Sequence, residues 1–325
     1  MDNTKRIERR LKLHDLRVLI SAVEGGSMSK AAELLATSQP AVSRAIADLE
    51  SSLGVRLLDR GPRGIVPTPY GRALIKRSVA AFDELRLGMK DLEFLADPTA
   101  GEVRIAAPIA LATGFVAAAI DRLARRHPRV VCHMMVDDGS QTFRRLEERE
   151  VDLEIAFIFA PVAEDRMEAE LLYTDTLIVV APTKNPWSRR RNVRLADLMN
   201  EPWVLPPPDS ALGAAYADAL RAAGLGWPAA TVVCASGLAR AALVGKGRFL
   251  TITGESVLRF AGRDMAIKAL PVPLPEARRA VGIVTLKNRT LTPVAQLFID
   301  CAREVAKPLA IGKSVAARRR QVQAT

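Results

Sequence analysis

Residues 29–60 read SKAAELLATSQPAVSRAIADLESSLGVRLLDR. The stretch predicts two short helices with almost no linker between them. Ala31, Ala32 and Leu35 share one helical face, and the small alanines let another helix cross closely. Ser27 or Ser29 can cap this helix by accepting bonds from its free N–H groups. Ala36-Thr37 makes the turn, Ser38 caps the next helix, and Pro40 falls in its first turn, where a missing N–H costs little. Val42, Ile46, Leu49 and Leu53 then form an inward stripe, and Gly54 suits a left-handed stop. Upstream, Leu13, Leu16, Leu19, Ile20 and Val23 describe one more helix, ended by Gly25-Gly26.

The polar residues outside this stripe are the informative ones. Gln39, Ser43 and Arg44 point away from it at the start of the last helix. Gln can bond adenine through two atoms and Arg guanine, and a helix fits the major groove of B-form DNA. The N-terminus of a helix also attracts phosphate oxygens. Next comes RLLDRGPRGIVPTPYG, whose Gly and Pro steps predict a short hairpin with Arg60 and Arg63 at its tip. Such a wing can lie over the backbone or the minor groove. A plain three-helix bundle with a solvated edge accounts for each polar residue singly. The ordered combination points to duplex DNA.

From about Leu13 to Gly71 the chain resembles the winged helix-turn-helix of the LysR-type transcriptional regulators. Ala31-Ala32, Ser38-Gln39-Pro40-Ala41-Val42-Ser43, Ile46, Leu49-Glu50, Leu53-Gly54, Leu57, Arg60 and Thr68-Pro69 with Gly71 carry the resemblance. It implies that Gln39, Pro40, Ser43 and Arg44, with Ser38, Arg60 and Arg63, form the surface for double-stranded operator DNA. Leu58 stands where the family usually has Phe, a packing exchange.

From Tyr70 to about Ala96 there is no proline, enough for a helix of roughly 40 Å. Leu74, Ser78, Ala81, Leu85, Gly88, Leu92 and Leu95 alternate steps of four and three, a heptad seam. The seam could pack on its own domain. Its length favours pairing with a second copy, as the resemblance implies, with Leu74, Ala81, Leu85 and Leu92 as dimer contacts. A two-fold dimer needs a DNA site of matching symmetry, and a homotetramer of two dimers is the usual family pattern. ADPTAG at 96–101 ends the helix.

Beyond Glu102, EVRIAA, VVCHMMV, VDLEIAFIF, DTLIVVAP, RFLTIT and RRAVGIVTLK read as strands alternating with helices, a parallel α/β pattern. Ligands in such sheets bind beyond the carboxyl ends of strands. The loops Pro108–Thr113, Asp138–Ser140 and Gly254–Ser256 qualify. The resemblance implies a two-lobed fold like that of the periplasmic binding proteins, with chain crossings near Thr176–Pro182 and Arg279–Thr285. A small-molecule effector would sit between the lobes, and Pro108, Ala110, Gly139, Ser140, Phe157, Pro206 and Thr253 are its candidate contacts. Phe157 stands where some carboxylate-sensing members carry a polar or basic residue, which argues against a simple aromatic acid.

The expected organisation is therefore a winged helix-turn-helix DNA-binding domain over 1–70, a dimerisation helix over 71–97 and an effector domain over 98–306. Its first lobe takes in about 102–178 and 282–306, and its second about 179–281. A basic tail of 307–325 follows.

Composition agrees with a nucleic-acid partner without deciding for one. The chain of 325 residues has a net charge of +11 and only 5% aromatics, which argues against single-strand binding by stacked rings. Residues 1–80 hold fourteen Lys/Arg against eight Asp/Glu, and Lys307, Lys313, Arg318, Arg319 and Arg320 face no acid in the tail. Cys132, Cys234 and Cys301 form no disulfide framework. MDNTKRIERRLK lacks the apolar core of a signal peptide and no run of about 18 apolar residues exists, so the cytoplasm is expected, without membrane association. His14, His127 and His133 sit apart, with no ligand spacing, so no metal, cofactor or catalytic residue is expected. The alternatives are a solute-binding protein, or an enzyme with an appended DNA-binding domain. The first would need export and the second a catalytic cluster.

Overall fold

The computed structural model describes residues 11–61, 64–137, 143–158, 166–229, 232–261, 266–275 and 278–322. The chain divides into two units, Met1–Met89 and Lys90–Thr325.

The first unit holds α1 (Leu13–Gly25), α2 (Met28–Leu34), α3 (Gln39–Leu53), β1 (Leu58–Gly61), β2 (Gly64–Pro67) and the start of α4 (Pro69–Ala96). Its core gathers Leu16, Leu19, Ala31, Ala32, Val42, Ile46, Leu49 and Leu57, all nearly inaccessible. Caps set the helix boundaries. Ser27 Oγ accepts from the Lys30 N–H at 3.2 Å and Ser38 Oγ from the Ala41 N–H at 3.4 Å. Gly26 and Gly54 close α1 and α3 in the left-handed conformation, at φ 68° and 69°. Glu50 Oε1 accepts from the N–H groups of Leu57 and Leu58 at 2.6 and 3.1 Å, tying the first strand to α3.

The β1–β2 hairpin pairs Leu58 with Pro67 and Arg60 with Ile65. The Thr68-Pro69-Tyr70-Gly71 run fastens it. Thr68 Oγ1 donates to the Arg56 carbonyl at 2.7 Å and accepts from the Gly71 N–H at 3.1 Å. A Cβ on Gly71 would lie 2.0 Å from the Leu57 carbonyl oxygen, so only glycine fits there.

The second unit is built on β3 (Ala100–Pro108), β4 (Arg129–Asp137), β5 (Leu153–Ile158), β6 (Met167–Pro182), β9 (Thr251–Gly254), β10 (Ile267–Ala269) and β11 (Arg278–Leu286). A separate short pair, β7 (Val204–Leu205) and β8 (Val232–Val233), runs parallel. The main sheet follows the order β10-β6-β11-β5-β3-β4, with β9 also on β6. The sixteen-residue β6 joins the two lobes. Up to Thr176 it pairs with β11; from Leu177 it pairs with β9, and from Val180 also with β10. β3 is parallel to β4 and β5, whereas β11 is antiparallel to β5 and β6, so the sheet is mixed. β11 pairs with the first half of β6 from its first residue, Arg278 against Thr176, and the return crossing precedes it.

Each lobe has its own core. Val103, Ile105, Phe115, Leu123, Ile155 and Phe298 are central to the first. Val179, Leu198, Trp203, Tyr216, Leu220 and Ile252 are central to the second. The helices are α5 (Ala117–Arg126), α6 (Arg144–Glu147), α7 (Ala211–Ala222), α8 (Gly237–Gly245), α9 (Glu255–Ala261) and α10 (Pro293–Val322). A π-helical turn, Ala112–Val116, leads into α5. α10 contains Pro308 and runs through the stretch expected as a tail, whose Ala, Lys, Arg and Gln residues favour helix. Arg122 and Arg126 of α5 clasp Glu304 of α10, with Arg126 donating twice at 2.9 Å. These bonds hold the Glu304 carboxyl down to about 2.

Candidate nucleic-acid interface and ligand cavity

Two places on the chain carry surplus polar chemistry. The first is the start of α3. Val42, Ile46 and Leu49 face the core, and the same periodicity leaves Ser38, Gln39, Pro40 and Arg44 exposed and Ser43 half-exposed. Gln39 Nε2 donates to Ser43 Oγ at 3.3 Å, one turn on, so the two side chains already hold a common orientation. With Pro40 in its first turn, the helix has free N–H groups at an end that favours anions. Arg60 sits on β1 opposite Ile65. Arg63 lies outside the described residues.

The second is a cavity of about 270 Å³ between the lobes. Ala110 and Phe157 line it from one side, Leu212, Tyr216 and Arg240 from the other, with Thr253 on β9. Of the residues expected there, Ala110, Phe157 and Thr253 are brought together. Pro108, which ends β3, and Pro206, which follows β7, do not line it. Gly139 and Ser140 lie outside the described residues.

The strongest groups at the cavity were not legible from loop position. Arg279, 5% exposed, is the cross-strand partner of Asp175, and its guanidinium lies 4.1 Å from the centre of the Phe157 ring. Asp175, 3% exposed, accepts from the Ser256 N–H at 3.0 Å and its hydroxyl at 2.9 Å, and from Arg279 only at 3.4 Å. A Cβ on Gly254 would meet Asp175 Oδ2 at 1.9 Å; the glycine is what lets the carboxylate reach the end of α9. Arg240, 6% exposed, donates through one nitrogen to the carbonyls of Cys234 and Ala235 at 2.7 and 2.8 Å. Tyr216 donates to the Ile252 carbonyl at 2.7 Å, and burial pushes its phenol up. Burial does the same to Tyr173, whose hydroxyl is set beside Ser256. One signal was available: Arg240 is the lone charge within the apolar run GLARAALVG. For Arg279, beside Arg278 at a strand start, no pattern separated the buried residue from its exposed neighbour.

On α4, Leu74 packs partly on the winged core, whereas Ala81, Leu85, Met89, Leu92 and Leu95 are exposed. Among the described residues, no group of His, Cys, Asp and Glu could hold a metal ion, and no helix is long and apolar enough to cross a membrane.

Residues 13–72 match the model of the bacterial regulatory helix-turn-helix protein, lysR family, and residues 96–307 match the LysR substrate binding domain. The transcriptional dual regulator GltC of Bacillus subtilis is 29% identical over 89% of the chain and 96% of its own length. The SDS degradation transcriptional activation protein of a Pseudomonas species is 31% identical over 87% and 93%. The solved structure of full-length CbnR complexed with its target DNA superposes with a TM-score of 0.63 at 19% identity, covering 91% of this chain and all of that one.

Proposed function

The chain belongs to the LysR family of bacterial regulatory helix-turn-helix proteins, and from that premise we propose which of its residues read DNA, join protomers and receive the effector. It is a DNA-binding transcriptional regulator with an effector-binding domain. In this reading residues 1–70 bind the operator, 71–97 dimerise, 98–306 sense, and the protein works in the cytoplasm without a catalytic role of its own. α3 enters the major groove, where Gln39, Ser43 and Arg44 meet base edges. Ser38, Pro40, Arg60 and Arg63 lie along the backbone or the minor groove. Leu85 and Leu92, with Ala81 between facing backbones, pair α4 with a second copy, and two dimers form a tetramer. The cavity between the lobes takes the effector, which shifts the population of lobe arrangements and so the placement of the dimers on DNA.

One observation carries the DNA assignment: on α3 the buried stripe and the exposed polar start are separate faces of one capped helix. Retention of a palindromic promoter fragment by the purified protein tests it. Affinity should fall steeply as salt rises, Arg44→Ala should weaken retention, and Gln39→Ala should mainly relax base preference. Wild-type affinity and selectivity in both variants would remove α3 from the groove. For the cavity, Ala110→Phe should abolish the effector response in cells while leaving operator retention intact.

A further inference from the structure

The cavity has a composition that names the class of its ligand. Its walls are largely apolar, with Ile109, Leu212, Leu238, Val244, Ile252 and Val257 among them. Among the described residues its charges do not balance. Arg240 and Arg279 both line it and are both more than nine-tenths buried. Asp175 is the one carboxylate paired with either among the described residues.

Asp175 is also already engaged. Its two short bonds come from Ser256, and Arg279 stands off at 3.4 Å. Arg279 Nε is buried with no hydrogen-bond partner among the described residues. Its guanidinium carbon sits over the Phe157 ring, a contact that uses no N–H group and leaves those donors for an acceptor. Arg240 donates through one nitrogen to two backbone carbonyls and also lies against the Tyr216 hydroxyl; these are dipoles and not counter-charges. A buried cation without a counter-charge is costly, and a guanidinium with spare in-plane donors matches an oxyanion.

We infer that the effector is a small amphiphilic monoanion: an aliphatic body in the apolar part of the cavity and one carboxylate or sulfate head between Arg279 and Arg240. The inference rests on the reading of this cavity as the effector site. One negative charge neutralises the surplus of two arginines over one aspartate; a dianion overshoots it and puts its second charge against hydrocarbon. About 270 Å³ lies just below the roughly 300–1,000 Å³ of sites for drug-sized ligands, which suits a small ligand. The cation at this end of the cavity is Arg279, the second residue of strand β11, placed over the Phe157 ring.

Isothermal titration calorimetry of the full chain tests this with hexanoate, octanoate and octyl sulfate against octanamide, octylamine and octanedioate. The monoanions should bind once per chain. Octanamide, which keeps the shape and loses the charge, should bind at least tenfold more weakly than octanoate, as should octylamine and octanedioate. Octanoate against octyl sulfate shows which head is preferred. Arg279→Gln should weaken octanoate at least tenfold and bring the acid-to-amide ratio close to one. Because the acid–amide comparison uses the unaltered protein, it stands even where Arg240→Gln or Arg279→Gln fails to fold. Octanamide or octylamine binding within threefold of octanoate overturns the inference, and so does the failure of all three monoanions to bind. Ala110→Phe separates the two levels. If a neutral ligand binds and this variant abolishes it, the cavity remains the effector site and only the anion is lost. If octanoate binds equally well to Ala110→Phe, the head is held elsewhere and both readings fall.

Discussion

Replacing Leu92 by lysine should break the proposed dimer without harming the fold. Leu92 is 68% exposed on α4, and Leu85, Met89 and Leu95 are 51%, 58% and 76% exposed. Four large apolar side chains at three- and four-residue steps on one helix form a stripe that water disfavours. Complete burial of a leucine contributes about 2 kcal/mol. With two-thirds of Leu92 still to be buried, its share is about 1.4 kcal/mol per protomer. Two-fold symmetry counts it twice, for about 3 kcal/mol in the dimer. Leu92→Lys forfeits that contribution and sets two ammonium groups beside the seam, so dimer dissociation should strengthen by at least about a hundredfold. Sedimentation equilibrium over a range of concentrations reads the change directly. The melting temperature measured below the dissociation constant should stay within about two degrees, because this side chain is 68% exposed in the protomer. Leu74 supplies the contrast. It rests partly on the winged core, so Leu74→Lys should lower the stability of the protomer as well as association. An unchanged dimer constant for Leu92→Lys, or a loss of protomer stability equal to that of Leu74→Lys, would refute the intermolecular seam.

Gly71→Ala should destabilise the winged unit by about 3 kcal/mol or more, since its Cβ meets a backbone carbonyl that cannot turn aside; urea unfolding of the full chain reads this. Glu304 has a folded-state value of about 2 against an ordinary 4.5, so its stabilising contribution is complete above about pH 4.5 and fades as pH falls toward 2. Acid titration of Glu304→Gln followed by circular dichroism should therefore lose that part of the pH dependence and keep the rest. Burial pushes the thiols of Cys132 and Cys301 up, so at pH 8 both should react with a disulfide reagent much more slowly in the folded protein than in urea. Rapid modification of either in the native state would contradict the packing around α10.

How far the sequence could be read depended on whether a residue's role was local. Ser38, Pro40 and Gly54 act on the helix they belong to, so their meaning is written within a turn of themselves, and the caps sit where the spacing put them. The stripe of Val42, Ile46 and Leu49 is likewise a property of one helix, and it leaves the polar start of α3 exposed by default. Glu50 and Gly71 are a step harder. Each belongs to the motif that carried the resemblance, yet their reasons lie seven and fourteen residues away, in the N–H of Leu57 and in its carbonyl. The cavity is harder again, because its chemistry is made by pairs far apart in the chain. Asp175 and Arg279 are 104 residues apart and become neighbours only because β11 returns alongside β6. Loop position found Ala110 and Thr253, since both stand at ends of strands where helices begin. It missed Arg240 and Arg279, which lie within a helix and at the start of a strand. An arginine at either place is ordinarily a solvated side chain. What sets these two apart is burial, and burial is decided by the packing of two lobes across a crossing that no local periodicity describes. The proposed operator-reading surface is therefore readable from one segment, and the proposed ligand site only from the assembled sheet.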